Sequence, residues 1–237
     1  MKDRFPLRRN SFEPDLGRAL SLIALRRRAV PSDRAMLVGI SGIDGAGKGF
    51  IAERLREALA AQGTNVALIG ADPLQNPLTV RLSEIAPDRH FYDHVFRWAE
   101  LFDRIVDPLV AARSVDIVVN AIRGDVDRHY PKQYRFENVD VVLLEGILLF
   151  KRAFLARYDL KVWVDCTFET ALARAQRRNQ EGQPPEIIER DYHRVYHAAQ
   201  RLHLRLDDPL AAADAVVVND PELLASPGLP YLAGART

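Results

Sequence analysis

Gly42-Ile43-Asp44-Gly45-Ala46-Gly47-Lys48-Gly49 decides the fold of this 237-residue chain. It follows the pattern G-x-x-x-x-G-K-[ST] at every place but the last. In that pattern the glycines let backbone N–H groups turn inward around phosphate oxygens, the lysine reaches the β/γ-phosphates, and a hydroxyl ligates Mg²⁺. Gly49 stands where the hydroxyl belongs. The stretch predicts a nucleotide site built from Gly42, Asp44, Gly45, Ala46, Gly47, Lys48, Gly49 and Phe50, and it speaks for binding more directly than for catalysis.

The flanks support a strand, loop and helix. Ala35-Met36-Leu37-Val38-Gly39-Ile40-Ser41 is a short apolar run, and from Phe50 to Ala60 the positions Ile51, Leu55, Ala58 and Leu59 share one helical face. The N-terminus of that helix would present free N–H groups and the positive end of its dipole to phosphate.

Further out, residues 1–34 read as a helical extension with Leu16, Leu20, Ile23 and Ala24 on one face, closed by Val30-Pro31. Residues 35–220 form the domain and 221–237 a tail. After the stop at Gln62-Gly63-Thr64, apolar runs recur at Asn65–Asp72, Val139–Gly146, Leu160–Asp165 and Ala213–Asn219. They are continuously apolar, as parallel strands covered on both faces are. Helical stretches from Phe96 to Ala112 and Phe168 to Arg178 alternate with them, which predicts an α/β fold with a doubly wound, mainly parallel five-stranded sheet. An insertion at about 114–137 holds two short runs, Ser114–Asn120 and Lys132–Glu137, expected to form a hairpin across Gly124. Such an excursion overhangs the carboxyl ends of strands, where ligands bind. A lid is expected at about 174–200.

Thirty-three Lys and Arg balance 32 Asp and Glu, with a net charge of +1 and the signs interspersed. No global charge directs the chain to nucleic acid. The runs Leu7-Arg8-Arg9 and Arg26-Arg27-Arg28 read as solvated helix faces, with a polyanion contact as the alternative. The single Cys166 rules out an intramolecular disulfide, suits a reducing compartment and follows an apolar run, so a packing role is expected. No apolar run reaches the ~20 residues that span a bilayer. With Asp3 and Glu13 near the start and no signal-type apolar core, a cytoplasmic protein without a membrane partner is expected. A homo-oligomer is left open.

Phosphoryl transfer needs phosphates held, charge neutralised and an acceptor hydroxyl aligned. Asp72 ends the strand after the loop helix, where it can orient and deprotonate an acceptor hydroxyl. The alternative is a carboxylate capping the turn before Pro73. Glu145 ends Val141-Val142-Leu143-Leu144, where it can hold Mg²⁺ directly or through water, or else accept backbone N–H groups. Buried there, it requires a compensating cation, Mg²⁺ or Lys48. Arg174 and Arg178 are one turn apart, ahead of Asn179-Gln180-Glu181-Gly182-Gln183-Pro184-Pro185, and could clamp the transferring phosphate from a lid. Solvated surface positions are the alternative for both. Glu189, His193 and His197 recur every four residues, but they do not form H-E-x-x-H and have Arg190, Arg194 and Arg201 beside them. They read as an exposed polar face, with Tyr192 and Tyr196 packing the lid helix on the core.

The order of the loop, the Asp72 strand end, Tyr92-Asp93-His94, Leu144-Glu145-Gly146-Ile147, Val164-Asp165 and the arginine-bearing lid resembles the uridine kinase and phosphoribulokinase branch of P-loop kinases, over about residues 35–220. The resemblance implies Asp72 as catalytic base beside Lys48, Asp93 on acceptor hydroxyls with Tyr92 and His94, and Arg174 and Arg178 on phosphates or substrate. Arg128, beside His129, falls where that branch has basic substrate contacts. The chain departs from the branch at Gly49, at Val119-Asn120-Ala121-Ile122-Arg123-Gly124-Asp125 in the hairpin, and at Pro73-Leu74-Gln75-Asn76 after the base. In that branch these places help hold the base and sugar of the acceptor, so the resemblance leaves the acceptor open. The implied activity is an ATP- and Mg²⁺-dependent kinase acting on a hydroxyl of a nucleoside or sugar-like metabolite. Its rival is a nucleotide-binding module that has lost catalysis.

Overall fold

The computed structural model describes residues 11–124, 127–179 and 182–225. Leu7-Arg8-Arg9, Asp125, Gln180, Glu181 and the tail beyond 225 lie outside them. Seven strands occur among the described residues: β1 Met36–Gly42, β2 Val66–Gly70, β3 Val115–Arg123, β4 Arg128–Phe136, β5 Val141–Gly146, β6 Leu160–Asp165 and β7 Ala215–Val218. Five of them form a parallel sheet in the order β2-β5-β1-β6-β7. Every residue of β1 is buried, which is why its sequence is continuously apolar. The chain leaves β1 for β2 on one side, returns to β5, and then crosses to β6 and β7 on the other. The crevice at the carboxyl ends of the strands therefore opens at β1, where the order reverses.

The helix Glu13–Arg27 buries Asp15, Leu16, Ala19 and Ile23. Ala24, expected on this face, is exposed, because the buried stripe runs through Ala19 to Ile23. Asp15 accepts a hydrogen bond from Val218 N at 3.3 Å, and Glu13 pairs with Arg54 of the loop helix Lys48–Ala61 at 3.2 Å. Arg26 and Arg27 face Asp214 and Asp140 at 3.5 and 3.6 Å, so these arginines meet carboxylates of the domain.

The helix expected from Phe96 starts at Trp98, because Arg97 has non-helical dihedrals (φ −82°, ψ 71°) and Phe96 forms an antiparallel bridge with Gln75. It runs to Ala112 through a π-helical turn at Phe102–Val106. A second π turn, Tyr192–Tyr196, joins Pro185–Asp191 to His197–Asp207. Strands β3 and β4 form an antiparallel hairpin from Val115 opposite Phe136 to Arg123 opposite Arg128. Arg81 anchors its turn by donating to Asn76 O at 2.6 Å and Gly124 O at 2.8 Å, while Asp127 accepts from Leu78 N at 2.9 Å. Arg97 donates to Asn120 O at 2.6 Å, tying the hairpin to the segment after Asp72. Among the described residues no helix is long and apolar enough to cross a membrane.

Candidate active site

The loop leaves β1 at Gly42 and enters its helix at Lys48. Gly45 and Gly47 have φ of 82° and 85°, a left-handed conformation that a side chain disfavours. Space excludes one as well: a Cβ on Gly45 would lie 2.5 Å from Ala171 O, and one on Gly47 would lie 2.4 Å from Asn219 Nδ2. Ile51 N makes the first helical hydrogen bond, to Gly47 O at 3.1 Å. The N–H groups of Lys48, Gly49 and Phe50 precede it and face the end of the helix where an anion is favoured. Lys48 is buried, and its Nζ donates to Ile43 O at 3.0 Å. The Phe50 ring turns outward and meets Phe12 edge-on at 5.6 Å, so only its main chain belongs to the nucleotide site.

Distant segments hold the loop from behind. Arg174, on the helix Phe168–Arg178, donates to Gly45 O at 3.2 Å, Ala46 O at 3.4 Å and Cys166 Sγ at 3.5 Å. Asn219 Nδ2 donates to Ala46 O at 2.7 Å. Arg174, expected to reach the transferring phosphate, here clamps the loop instead, because helix Phe168–Arg178 lies against Gly45. Arg178 points to Asp44 at 3.8 Å. Asp44 also accepts from the Tyr192 hydroxyl, and its own N–H donates to Gln200 Oε1 at 2.7 Å. Burial pushes the Asp44 carboxyl up, but Lys48, the Tyr192 hydroxyl and Arg178 outweigh it and hold it below the ordinary range.

Glu145 stands in β5 between Ile40 and Gly70. A Cβ on Gly70 would lie 2.8 Å from Glu145 Oε1, so the glycine makes room for the carboxylate at the crevice. Burial first, then the charges of Asp72 and Asp44, raise Glu145 to about 7 against the pull of Lys48. Asp72 begins a short 3₁₀ turn and receives Gln75 Nε2 at 3.2 Å. Desolvation pushes its carboxyl up too, with Asp44 adding to this and Lys48, Gln75 and Arg178 opposing. These residues fit a Mg²⁺ site: among the described residues no protein donor bonds the Glu145 carboxylate, and a carboxylate held near neutrality has most to gain from a cation. No three His, Cys, Asp or Glu side chains among the described residues converge as a self-sufficient metal site, so phosphate oxygens and water would complete the shell.

The helix Pro87–His94 carries Tyr92, Asp93 and His94, the residues expected to meet an acceptor. Asp93 is exposed and accepts from Arg89 Nε at 2.6 Å. Tyr92 departs from its expected role as a ligand: its hydroxyl is buried and donates to Asp207 Oδ2 at 2.7 Å, because the helix His197–Asp207 packs on this face. Lys151 Nζ donates to Tyr92 O at 2.6 Å over the ring, and burial lowers it to about 8. Asp207 also receives Arg152 N at 2.9 Å and meets His203 Nδ1 at 2.7 Å. The His94 ring faces His90 at 4.5 Å. Arg128 opens β4 opposite Arg123, beside the hairpin turn. His197 is not on an exposed polar face with Glu189 and His193: it is fully buried between Phe168 and Tyr192. The π turn before it breaks the four-residue repeat.

Gln200, Asn219, Lys151 and Asp207 also shape the site and its surroundings. They belong to no motif, and the polarity of Asn219 at a strand end was their only local signal.

A phosphate-binding loop at the switch point of a parallel sheet, with carboxylates at the ends of β2 and β5, defines a P-loop nucleotide-binding protein. Residues 15–79 match the family model of the methylmalonyl Co-A mutase-associated GTPase MeaB. A thymidylate kinase from Xanthomonas euvesicatoria is 32% identical over 160 residues, covering 60% of this chain and 62% of that protein. A dephospho-CoA kinase from Aromatoleum aromaticum is 30% identical over 196 residues, covering 79% of this chain and 86% of its own. The chain thus spans about three fifths of the thymidylate kinase it matches. In fold it is similar to a structure described as a possible uridine kinase from Bacillus stearothermophilus, with a TM-score of 0.66, 18% identity and coverage of 86% and 97% of the two chains. It is also similar to a D-glycerate 3-kinase from Cryptococcus neoformans, with a TM-score of 0.60, 12% identity and coverage of 89% and 96%. The chain belongs to the P-loop kinases, and its fold is that of their uridine kinase-like branch.

Proposed function

We propose that the protein is an ATP- and Mg²⁺-dependent kinase that transfers a phosphoryl group to a hydroxyl of a nucleoside or sugar-like metabolite. The observation that carries this reading is the clustering of the Asp72 and Glu145 carboxylates with Lys48 beside a phosphate-binding loop, at the carboxyl ends of β2 and β5. A carboxylate raised above the ordinary aspartate range takes a hydroxyl proton more readily than an unperturbed one. In this reading Lys48 and the N–H groups up to Phe50 hold the nucleotide and Asp72 accepts the proton. Asp93, His94 and Arg128 line the acceptor, with Tyr92 fixing the helix that bears Asp93. Arg178 supplies charge at the transferring group, and Arg174 keeps the loop in shape. Mg²⁺, when bound, neutralises phosphate charge, and Glu145 is the residue that would hold it.

The test is a coupled assay of ATP consumption over a panel of nucleosides and phosphosugars, with and without Mg²⁺. Asp72→Asn is expected to lower kcat by about 10²- to 10⁴-fold while ADP affinity stays within about twofold. Full turnover in Asp72→Asn would end the assignment of the base. One observation favours a second reading, a nucleotide-binding module without catalysis: the loop carries Gly49 in place of a metal-ligating hydroxyl. ATP binding that ignores Mg²⁺, with no turnover on any acceptor, would favour the module.

A further inference from the structure

The donors in the first half of the loop are already satisfied within the protein. Asp44 N donates to Gln200 Oε1 at 2.7 Å, Gly45 N to Asp44 Oδ1 at 2.9 Å, Ala46 N to Ile43 O at 3.1 Å, and Lys48 Nζ to Ile43 O at 3.0 Å. The Asp44 carboxylate itself receives the Gly45 N–H and the Tyr192 O–H, has Arg178 at 3.8 Å, and lies in the field of Lys48. A backbone N–H, a hydroxyl, a guanidinium and an ammonium around one anionic group are the surroundings a phosphate group seeks. Here a side chain of the loop occupies them.

We propose that the Asp44 carboxylate acts as an internal competitor for nucleotide phosphate, held on the Gly45 N–H by the Tyr192 hydroxyl, and that phosphate must displace it to bind. The proposal rests on the nucleotide-binding part of the reading above. Displacement releases Tyr192, which lies on the continuous helical stretch Pro185–Asp207 that also places Tyr196 on Phe91 at 5.1 Å and Asp207 on Tyr92. Phe91 and Tyr92 sit on the helix that bears Asp93. Nucleotide occupancy would thereby loosen the packing behind the acceptor side, so that nucleotide binds before acceptor. Two buried polar residues agree with a junction built to rearrange. Gln200 Nε2 and both ring nitrogens of His197 have no partner among the described residues. Such groups cost stability unless another state pairs them.

ADP affinity is measured by calorimetry at constant ionic strength for the full chain, Asp44→Asn and Tyr192→Phe. If Asp44 competes, Asp44→Asn tightens ADP by about threefold to tenfold, because the fraction of molecules with an open loop rises. Tyr192→Phe changes no charge, so its tightening, about twofold to threefold on the same argument, separates release of the latch from simple removal of a negative charge. Unchanged or weaker ADP binding in either variant would overturn the proposal, since a carboxylate that merely supports the loop loses affinity when altered. The measurement needs neither acceptor nor turnover. A chain that phosphorylates nothing still answers it, whereas a chain that fails to bind ADP at all overturns the nucleotide reading itself.

Discussion

At the residue scale, Gly49 is where the chain departs most sharply from its pattern. A Cβ there meets nothing within 4 Å, and its φ is outside the positive range. Gly49→Ser is therefore expected to fold, to gain about 0.5–1 kcal/mol from lower backbone freedom in the unfolded chain, and to make nucleotide binding more responsive to Mg²⁺. Thermal denaturation with ADP, with and without Mg²⁺, checks this; loss of ADP binding would mean that glycine is required there after all. Glu145 makes a second prediction. With its folded pKa raised to about 7, the native state keeps a proton that the unfolded chain releases above the ordinary glutamate range. Its contribution favours folding most at low pH, declines as pH rises to about 7, and is level above that. The decline is on the order of 3 kcal/mol for the coupled site. Denaturant titrations from pH 5 to 8 should show Glu145→Gln with a flatter profile and greater stability than the parent at pH 8. Equal slopes would remove the raised carboxyl from the account.

At the scale of elements, the loop is not free-standing. Arg174 and Asn219 tie its carbonyls to the helix Phe168–Arg178 and to the end of β7. Arg174→Ala leaves those carbonyls without their cation and is expected to cost about 1–3 kcal/mol, read as a lower denaturation midpoint. It should also weaken ADP, where a purely transition-state arginine would lower kcat and leave ADP affinity alone. The parallel strands were legible because each is a continuous apolar run, as residues buried on both faces must be. The π turns were not. An extra residue in a helical turn leaves no mark in periodicity until packing rotates the following helix, and that rotation carries His197 into the core.

For the whole molecule, the N-terminal helix is part of the domain's packing rather than an appendage. Leu16 and Ile23 are buried, and Asp15 takes the Val218 N–H at the sheet edge. Removing residues 1–34 is expected to cost at least about 3 kcal/mol from these two side chains alone, with the loop helix losing Glu13 and Phe12 as neighbours. Equilibrium unfolding of the shortened chain checks this; unchanged stability would make the helix a passive arm.

By itself the sequence determined the α/β sheet, the phosphate-binding loop and the positions of Asp72 and Glu145 at strand ends. Each is encoded by neighbours within a few residues, through periodicity, glycine geometry and the end of an apolar run. Only the tertiary structure decided what holds the loop and what packs behind the helix Pro87–His94. Asp44 meets Gln200 and Tyr192 across 156 and 148 residues of chain, and Tyr92 meets Asp207 across 115. Which polar side chains find one another at such separations depends on how the helices pack over the sheet, and local sequence carries no record of that.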